Sequence, residues 1–260
     1  DYQEYPLPSA KNSTKNRRSL GIGIINYAYW LAKNNMKYDE SAFIATDKWM
    51  QHMSYYLIAA SNELAVEFGA CAKSDETMYA KGVLPIDTYK TTVDELVVPV
   101  QYLDWETLRA SCKKFGIRNS VLMAIAPTES SSLTSNATNG IEPPRGLITT
   151  KLSKSSIMKQ VVPEIDKLKH KYDLLWTQKS PDGYLKIMAI MQKYIDQSIS
   201  TNSSYDPRNY PDHKIPMSVL LSDIIMAYKY GLKTLYYNNT NDMQGEEVDD
   251  MDAICDTCSI

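Results

Sequence analysis

The chain has 260 residues, of which 43% are hydrophobic and 23% charged. These values lie close to the ~45–50% and ~25% of ordinary globular chains and exclude disordered, collagen-like and disulfide-dense classes. The formal charge of −3 is uneven: after Lys233 there are seven acids and no base, so it divides into −7 for the end of the chain and +4 for the rest.

A segment this acidic buries too little apolar surface to offset the entropy of ordering, which predicts a solvated arm over residues 240–260. The body, residues 1–239, is too weakly basic to suggest nucleic-acid binding. No apolar run reaches the ~20 residues that cross a bilayer, and Asp1-Tyr2-Gln3-Glu4 is unlike a signal peptide. These features lead us to expect a soluble, cytoplasmic chain without membrane partners. Four Asn-x-Ser/Thr triplets, at Asn12, Asn136, Asn202 and Asn238, then read as polar turns. The first residue is Asp, which leaves an upstream start, processing or truncation open.

Residues 1–18 are polar, end on Arg17-Arg18 and read as an extended entry segment. Leu20-Gly21-Ile22-Gly23-Ile24-Ile25 runs into an aromatic, helix-like stretch with Tyr27 and Trp30. Its Gly-x-Gly suggests a dinucleotide fingerprint, but Asn26 stands where the third glycine belongs, and close backbone packing is the better reading. From Thr46 to Phe68, Trp49, Met53, Leu57, Ala60, Leu64 and Phe68 recur at helical spacing and predict one buried face, stopped at Gly69. A loop-rich stretch follows to Tyr102. Asp104 then caps a helix that runs to Lys114 and stops at Gly116.

Val121–Ala126 is an unbroken apolar run, the pattern of a strand buried on both faces. Gly146–Ser153 predicts another strand. Tyr184–Ile199 reads as a helix with Ile187, Met191, Tyr194 and Ile195 on one side. Pro216–Tyr230 reads as another, with Leu220, Ile224 and Tyr228 inward, and Lys233–Asn238 as a final strand. The pattern is that of an α/β domain.

Three features point to chemistry. Pro127-Thr128-Glu129-Ser130-Ser131-Ser132 directly follows the buried run, where hydroxyls and free helix N–H groups make an anion cradle. An ordinary serine-rich turn has the same composition. Tyr236-Tyr237 is a phenol pair able to pass on an oxidising equivalent, although aromatics favour strands in any case and Tyr55-Tyr56 shows how readily the doublet arises. Cys255-Asp256-Thr257-Cys258 is a dithiol in the acidic arm. The remaining candidates, Cys71, Cys112, His52, His170 and His213, lack metal-site spacing, which favours thiol–disulfide exchange over zinc. Neighbouring acids should raise the thiol pKa values, as suits a tethered shuttle. Cys71 and Cys112 read as structural.

Taken together, Arg118-Asn119-Ser120, Pro127-Thr128-Glu129-Ser130-Ser131, the run Ser135–Gly146, Met191–Ile199, Lys233-Thr234-Leu235-Tyr236-Tyr237 and the terminal cysteines resemble the large subunit of class I ribonucleoside-diphosphate reductase. The resemblance covers nearly the whole chain, including Arg17–Gly23. It implies the C-terminal part of a ten-stranded α/β barrel with additional helices and a flexible acidic tail. Pro127, Thr128, Glu129, Ser130 and Ser131 would bind the substrate diphosphate. Tyr236 and Tyr237 would end a radical relay from a separate small subunit, and Cys255 and Cys258 would carry electrons from thioredoxin or glutaredoxin.

The family's radical cysteine lies in an Asn-x-Cys-x-Glu segment, which is not found in these residues and should precede residue 1. The resemblance therefore implies a split or truncated large subunit that needs a partner polypeptide for its N-terminal part. No cofactor is expected on this chain itself; the metal and tyrosyl radical belong to the small subunit. A non-catalytic interaction module for the small subunit or a thioredoxin-like protein is the alternative, and a free-standing phosphate-binding domain a third reading.

Overall fold

The computed structural model describes residues 3–152 and 157–241. Cys255, Cys258 and the acidic arm beyond residue 241 lie outside them. Four extended segments run side by side and parallel: 20–24, 121–126, 197–205 and 236–241. Ile22 bridges Met123, Ile125 bridges Ile199, and Ser203–Tyr205 (β3) pairs in register with Asn238–Thr240 (β4). Main-chain bonds stitch the rest, among them Ile22 N–H to Leu122 O at 2.9 Å, Ser200 N–H to Ile125 O at 2.8 Å and Tyr236 N–H to Thr201 O at 2.7 Å. Helices occupy the connections, so the fold is α/β.

The expected strand at Val121–Ala126 is thus the second member of this ladder, paired on both edges, with Leu122, Met123 and Ile125 buried. Close backbone packing explains the glycines beside it: a Cβ on Gly23 would lie 2.8 Å from the Ala124 carbonyl oxygen. Asn26 takes a left-handed conformation (φ 68°) and starts helix α2 (Tyr27–Lys33). The run expected at Gly146–Ser153 is strand β1 (Ile148–Leu152), which pairs antiparallel with β2 (Ile157–Val161), Ile148 opposite Val161.

Residues 1–18 correct the sequence reading. They hold helix α1 (Pro8–Arg17), not an extended segment. Pro8 in its first turn and Lys15 and Arg17 in its last are helix signals that outweigh the absence of an apolar face, since none of its residues is buried.

Helix α3 (Phe43–Phe68) exists as expected, and Met53 and Leu57 of the expected face pack half-buried against the core, but its fully buried face is a different one. Trp49, Ala60, Leu64 and Phe68 are exposed, while Thr46, Asp47, Gln51, Ser54, Ser61 and Asn62 point inward with Met50 and Ile58. Most of these polar groups have a designated partner. Tyr27 and Thr46 join hydroxyls at 2.7 Å, Gln51 bonds the Val100 carbonyl and the Tyr102 N–H, and Asn62 donates to the Gly116 carbonyl. A satisfied polar group is buried at little cost, so apolar periodicity alone misplaces the face.

The same physics corrects helix α8 (Met217–Lys229). Leu220 is half-buried, Ile224 and Tyr228 are exposed, and Asp223 and Ala227 face inward, with Asp223 accepting the Tyr205 hydroxyl at 2.8 Å.

Helix α4 (Trp105–Phe115) matches its expected cap, with Thr107 N–H donating to Asp104 at 3.0 Å. After the short helix α6 (Ile165–Leu168), helix α7 (Asp182–Gln192) ends seven residues before the expected Ile199. The Asp196 carboxylate accepts the Leu122 and Met123 N–H groups, and Gln197 N–H bonds the Met123 carbonyl, which commits the chain to the ladder. Every residue of α7 from Tyr184 to Gln192 except Lys186 is buried, and the helix forms the centre of the core between α3 and α8. The last strand also falls later than expected, at Asn238–Thr240, after a turn at Tyr230–Gly231 and an irregular stretch from Leu232.

Candidate functional site

The ladder's second segment ends at a cavity of about 310 Å³, which its third and fourth segments border. Its wall is built from Ile125–Glu129, Asn139–Glu142, Arg145, Leu175, Ser200, Asn202, Tyr237 and Asn239. Ligands of α/β folds bind at this edge of the sheet, where strands turn into helices. The segment 121–126 delivers Pro127 and Thr128, and Thr128 precedes the short helix α5 (Glu129–Thr134). The Thr128 carbonyl accepts the Ser132 N–H at 2.9 Å, and its hydroxyl donates to Asn139 at 3.3 Å.

The opposite wall is held by Asn26. Its N–H donates to the Thr138 carbonyl and its Oδ1 accepts the Thr138 N–H, both at 2.9 Å, while Tyr27 N–H bonds the Gly140 carbonyl. The residue that spoils a dinucleotide fingerprint therefore anchors the loop between α5 and β1.

Three of the five expected phosphate-loop residues, Pro127, Thr128 and Glu129, line this cavity together with Tyr237. Ser130 and Ser131 are exposed on α5 and do not line it. Tyr236 is likewise absent from the wall but its ring lies 4.3 Å from that of Tyr237, centroid to centroid, tilted by 58°. The two rings are 57% and 58% exposed. The neighbouring Tyr236 phenol holds the Tyr237 pKa above its ordinary value. Tyr55 and Tyr56 make a T-shaped contact at 5.3 Å on α3, remote in sequence from any cavity residue.

The segment before the tyrosine pair is pinned from below. Lys233 Nζ donates to the carbonyls of Ile195, Asp196 and Gln197, and Thr234 Oγ1 donates to that of Ile199 at 2.7 Å.

Two residues that sequence reasoning gave no role complete the site. Glu142 accepts a 2.6 Å hydrogen bond from Asn202, and burial pushes its carboxyl pKa upward, with Glu129 adding to the shift while Asn202 and Arg145 oppose it. Asn202 also accepts the Tyr237 N–H at 3.1 Å. Glu142 and Arg145 sit in the run Ser135–Gly146 but carry no spacing pattern of their own. Asn202 was visible only as one of the Asn-x-Ser/Thr triplets.

The cavity thus offers one cationic side chain, Arg145, two carboxylates and a row of amide and hydroxyl groups, beside an oxidisable phenol. A polyhydroxylated ligand with an anionic end suits that set. Cys71 and Cys112 are buried away from this wall as free thiols, and burial raises the Cys112 pKa to about 11, which keeps it protonated and unreactive.

A family model described as "Ribonucleotide reductase, barrel domain" matches residues 1–172 and 165–238. The chain is 55% identical over 252 residues to ribonucleoside-diphosphate reductase 1 subunit alpha of Salmonella typhimurium, covering 96% of this chain and 33% of that protein. It is 54% identical over 252 residues to the corresponding subunit of Escherichia coli, with the same coverage. With the alpha subunit of Enterobacteria phage T4 it shares 43% identity over 249 residues, 95% of this chain and 33% of that one. The chain therefore spans about a third of the length of these curated relatives. It belongs to the class I ribonucleoside-diphosphate reductase alpha-subunit family and corresponds to part of that family's barrel domain.

Proposed function

We propose that the chain supplies the C-terminal part of a ribonucleoside-diphosphate reductase alpha subunit and contributes three activities to the reduction of ribonucleoside diphosphates to deoxyribonucleoside diphosphates. The loop Pro127, Thr128, Glu129, Ser130 and Ser131 holds the substrate diphosphate, the first three from the cavity wall and the two serines from the exposed start of α5 beside it. Tyr236 and Tyr237 relay the oxidising equivalent, and Cys255 and Cys258 bring in the reducing electrons. The observation that carries this reading is the cavity in which the Pro127–Glu129 turn meets Tyr237. A phosphate loop and an oxidisable pair placed on one wall fit a reaction that must generate a radical next to a bound nucleotide.

In the overall reaction the ribose 2′-hydroxyl leaves as water and a hydrogen takes its place. Two electrons and two protons come from a dithiol, which becomes a disulfide. At the relay, Tyr237 gives up an electron and a proton together and recovers both when the radical returns. The rest of the large subunit, in the same or a separate polypeptide, carries the radical cysteine. The small subunit carries the metal and tyrosyl radical, and thioredoxin or glutaredoxin reduces the dithiol, in the cytoplasm. Apolar side chains open to solvent on α3 (Ile44, Trp49, Leu64, Phe68) and α8 (Met217, Leu221, Ile225) support a chain that works within a larger assembly.

Reconstitution tests the proposal. Mixed with the N-terminal part of the alpha subunit, the small subunit and thioredoxin, the chain should yield deoxyribonucleoside diphosphate, and neither part should do so alone. A complete mixture that assembles but forms no product would contradict it.

A further inference from the structure

Asn202 immediately precedes β3, half-buried, in the cavity wall beside the segment that carries the tyrosine pair. Within the ladder, Tyr236 N–H bonds the Thr201 carbonyl and the Tyr237 carbonyl accepts the Ser203 N–H. The remaining main-chain donor of the pair, the Tyr237 N–H, goes to a side chain, Asn202 Oδ1, at 3.1 Å. The other half of the same amide, Nδ2, donates to Glu142 Oε1 at 2.6 Å.

The two partners are opposite in polarity. An N–H needs an acceptor and a carboxylate needs a donor, so one orientation of the amide satisfies both and the flipped one satisfies neither. A carboxylate hydrogen bond is also among the stronger kinds, which holds that orientation against rotation. Glu142, Asn202 and Tyr237 all line the cavity that contains Pro127, Thr128 and Glu129. Glu142 also acts electrostatically on the buried Tyr184, and Arg145 and Glu129 act on Glu142 from the cavity.

We propose that Asn202 is a positioning residue for the tyrosine relay, tying the main chain of Tyr237 to Glu142 in the cavity wall so that the cavity sets the geometry of the Tyr236–Tyr237 pair. This rests on the relay reading given under Proposed function and names the contact through which the substrate cavity acts on the relay. Asn202 touches neither the transferred electron nor its proton. Its effect on rate comes from alignment, where a misplacement of about 1 Å can cost roughly a hundredfold.

The test uses the reconstituted holoenzyme and reads kcat and KM separately. N202D keeps the shape and the acceptor for the Tyr237 N–H but sets two carboxylates against each other. Adding E142Q reverses the polarity of the pair, so that the new amide donates to the new carboxylate and the charge is unchanged from wild type. N202D should lower kcat about ten- to a hundredfold while KM for the nucleotide changes by less than about threefold, and N202D/E142Q should regain about tenfold over N202D at saturating substrate. Asn202→Ala, uncharged and smaller, should show the same loss of kcat and covers the case in which N202D does not fold. Normal kcat in N202D or Asn202→Ala, or a double variant no faster than N202D, would overturn the proposal. Tyr237→Phe, measured alongside, separates the two claims. If it turns over normally the relay reading fails; if it is inactive while the Asn202 variants are normal, only the role of Asn202 fails.

Discussion

Lys193 donates to Asp47 across 2.8 Å where α7 meets α3, and both side chains are 3% exposed. The Tyr194 hydroxyl bonds the same Asp47 oxygen at 2.8 Å, and Asp94 lies 3.4 Å from the ammonium. Removing one member of such a pair leaves an uncompensated buried charge. Lys193→Met should therefore destabilise the chain by about 3–5 kcal/mol in denaturant titration. A loss below about 1 kcal/mol would mean that water reaches the pair.

Among the glycines of the described residues, the tightest approach is at Gly183, in the first turn of α7. A Cβ there would lie 1.9 Å from the Tyr38 carbonyl oxygen, and the obstacle is backbone rather than a flexible side chain. Gly183→Ala should cost about 1–3 kcal/mol or more, in spite of the higher helix propensity of alanine. A stabilised variant would contradict the packing of α7 against residues 38–39.

Asp196 does for the ladder what Lys193 does for the helices. Its carboxylate accepts the Leu122 N–H at 2.7 Å, the Met123 N–H at 2.9 Å and the Tyr79 hydroxyl at 2.7 Å. Asp196→Ala strands three donors at once and should lower stability by about 2–4 kcal/mol. It should also loosen the segment that delivers Pro127 and Thr128, visible as faster amide exchange at Leu122 and Met123.

Acid sensitivity is built in at Asp206. Arg208 beside it, together with the Arg208 N–H and Asn241, lowers its pKa from the ordinary 3.8 to about 2. A pKa depressed on folding contributes stability above the unfolded value, and that contribution fades as pH falls through the folded one. Asp206→Asn should thus lose roughly 1 kcal/mol at pH 7, after allowing for solvent around the half-exposed Arg208, and the difference should fade as pH falls through about 2 and vanish below it. A difference independent of pH would assign the effect to packing.

The dithiol makes a prediction from sequence alone. Cys255→Ser and Cys258→Ser should spare turnover driven by a small dithiol and abolish turnover driven by thioredoxin. Equal loss with both reductants would remove the shuttle role.

What could be read from residues alone follows from which forces leave a mark in the sequence. The apolar run Val121–Ala126, the Asp104 cap and the glycine stops are local signals, and the structure follows them. The inward faces of α3 and α8 are set by long-range hydrogen bonds such as Thr46 to Tyr27 and Asp223 to Tyr205, which leave no period in the sequence. The end of α7 is set by pairing with a segment some 70 residues earlier, through Asp196. At the site, the turn Pro127–Glu129 and the tyrosine pair are contiguous motifs and were legible. Glu142 and Asn202 are 60 residues apart and acquire meaning only when folding brings them to 2.6 Å.

The central claim is that the cavity joins substrate to a working tyrosine relay, and Tyr237→Phe tests it most directly. The substitution removes only the phenolic hydroxyl and leaves the ring, the Asn202 contact and the ladder in place. In the reconstituted holoenzyme, nucleotide reduction should fall to background while assembly and substrate binding persist. Full turnover with phenylalanine at this position would contradict the account.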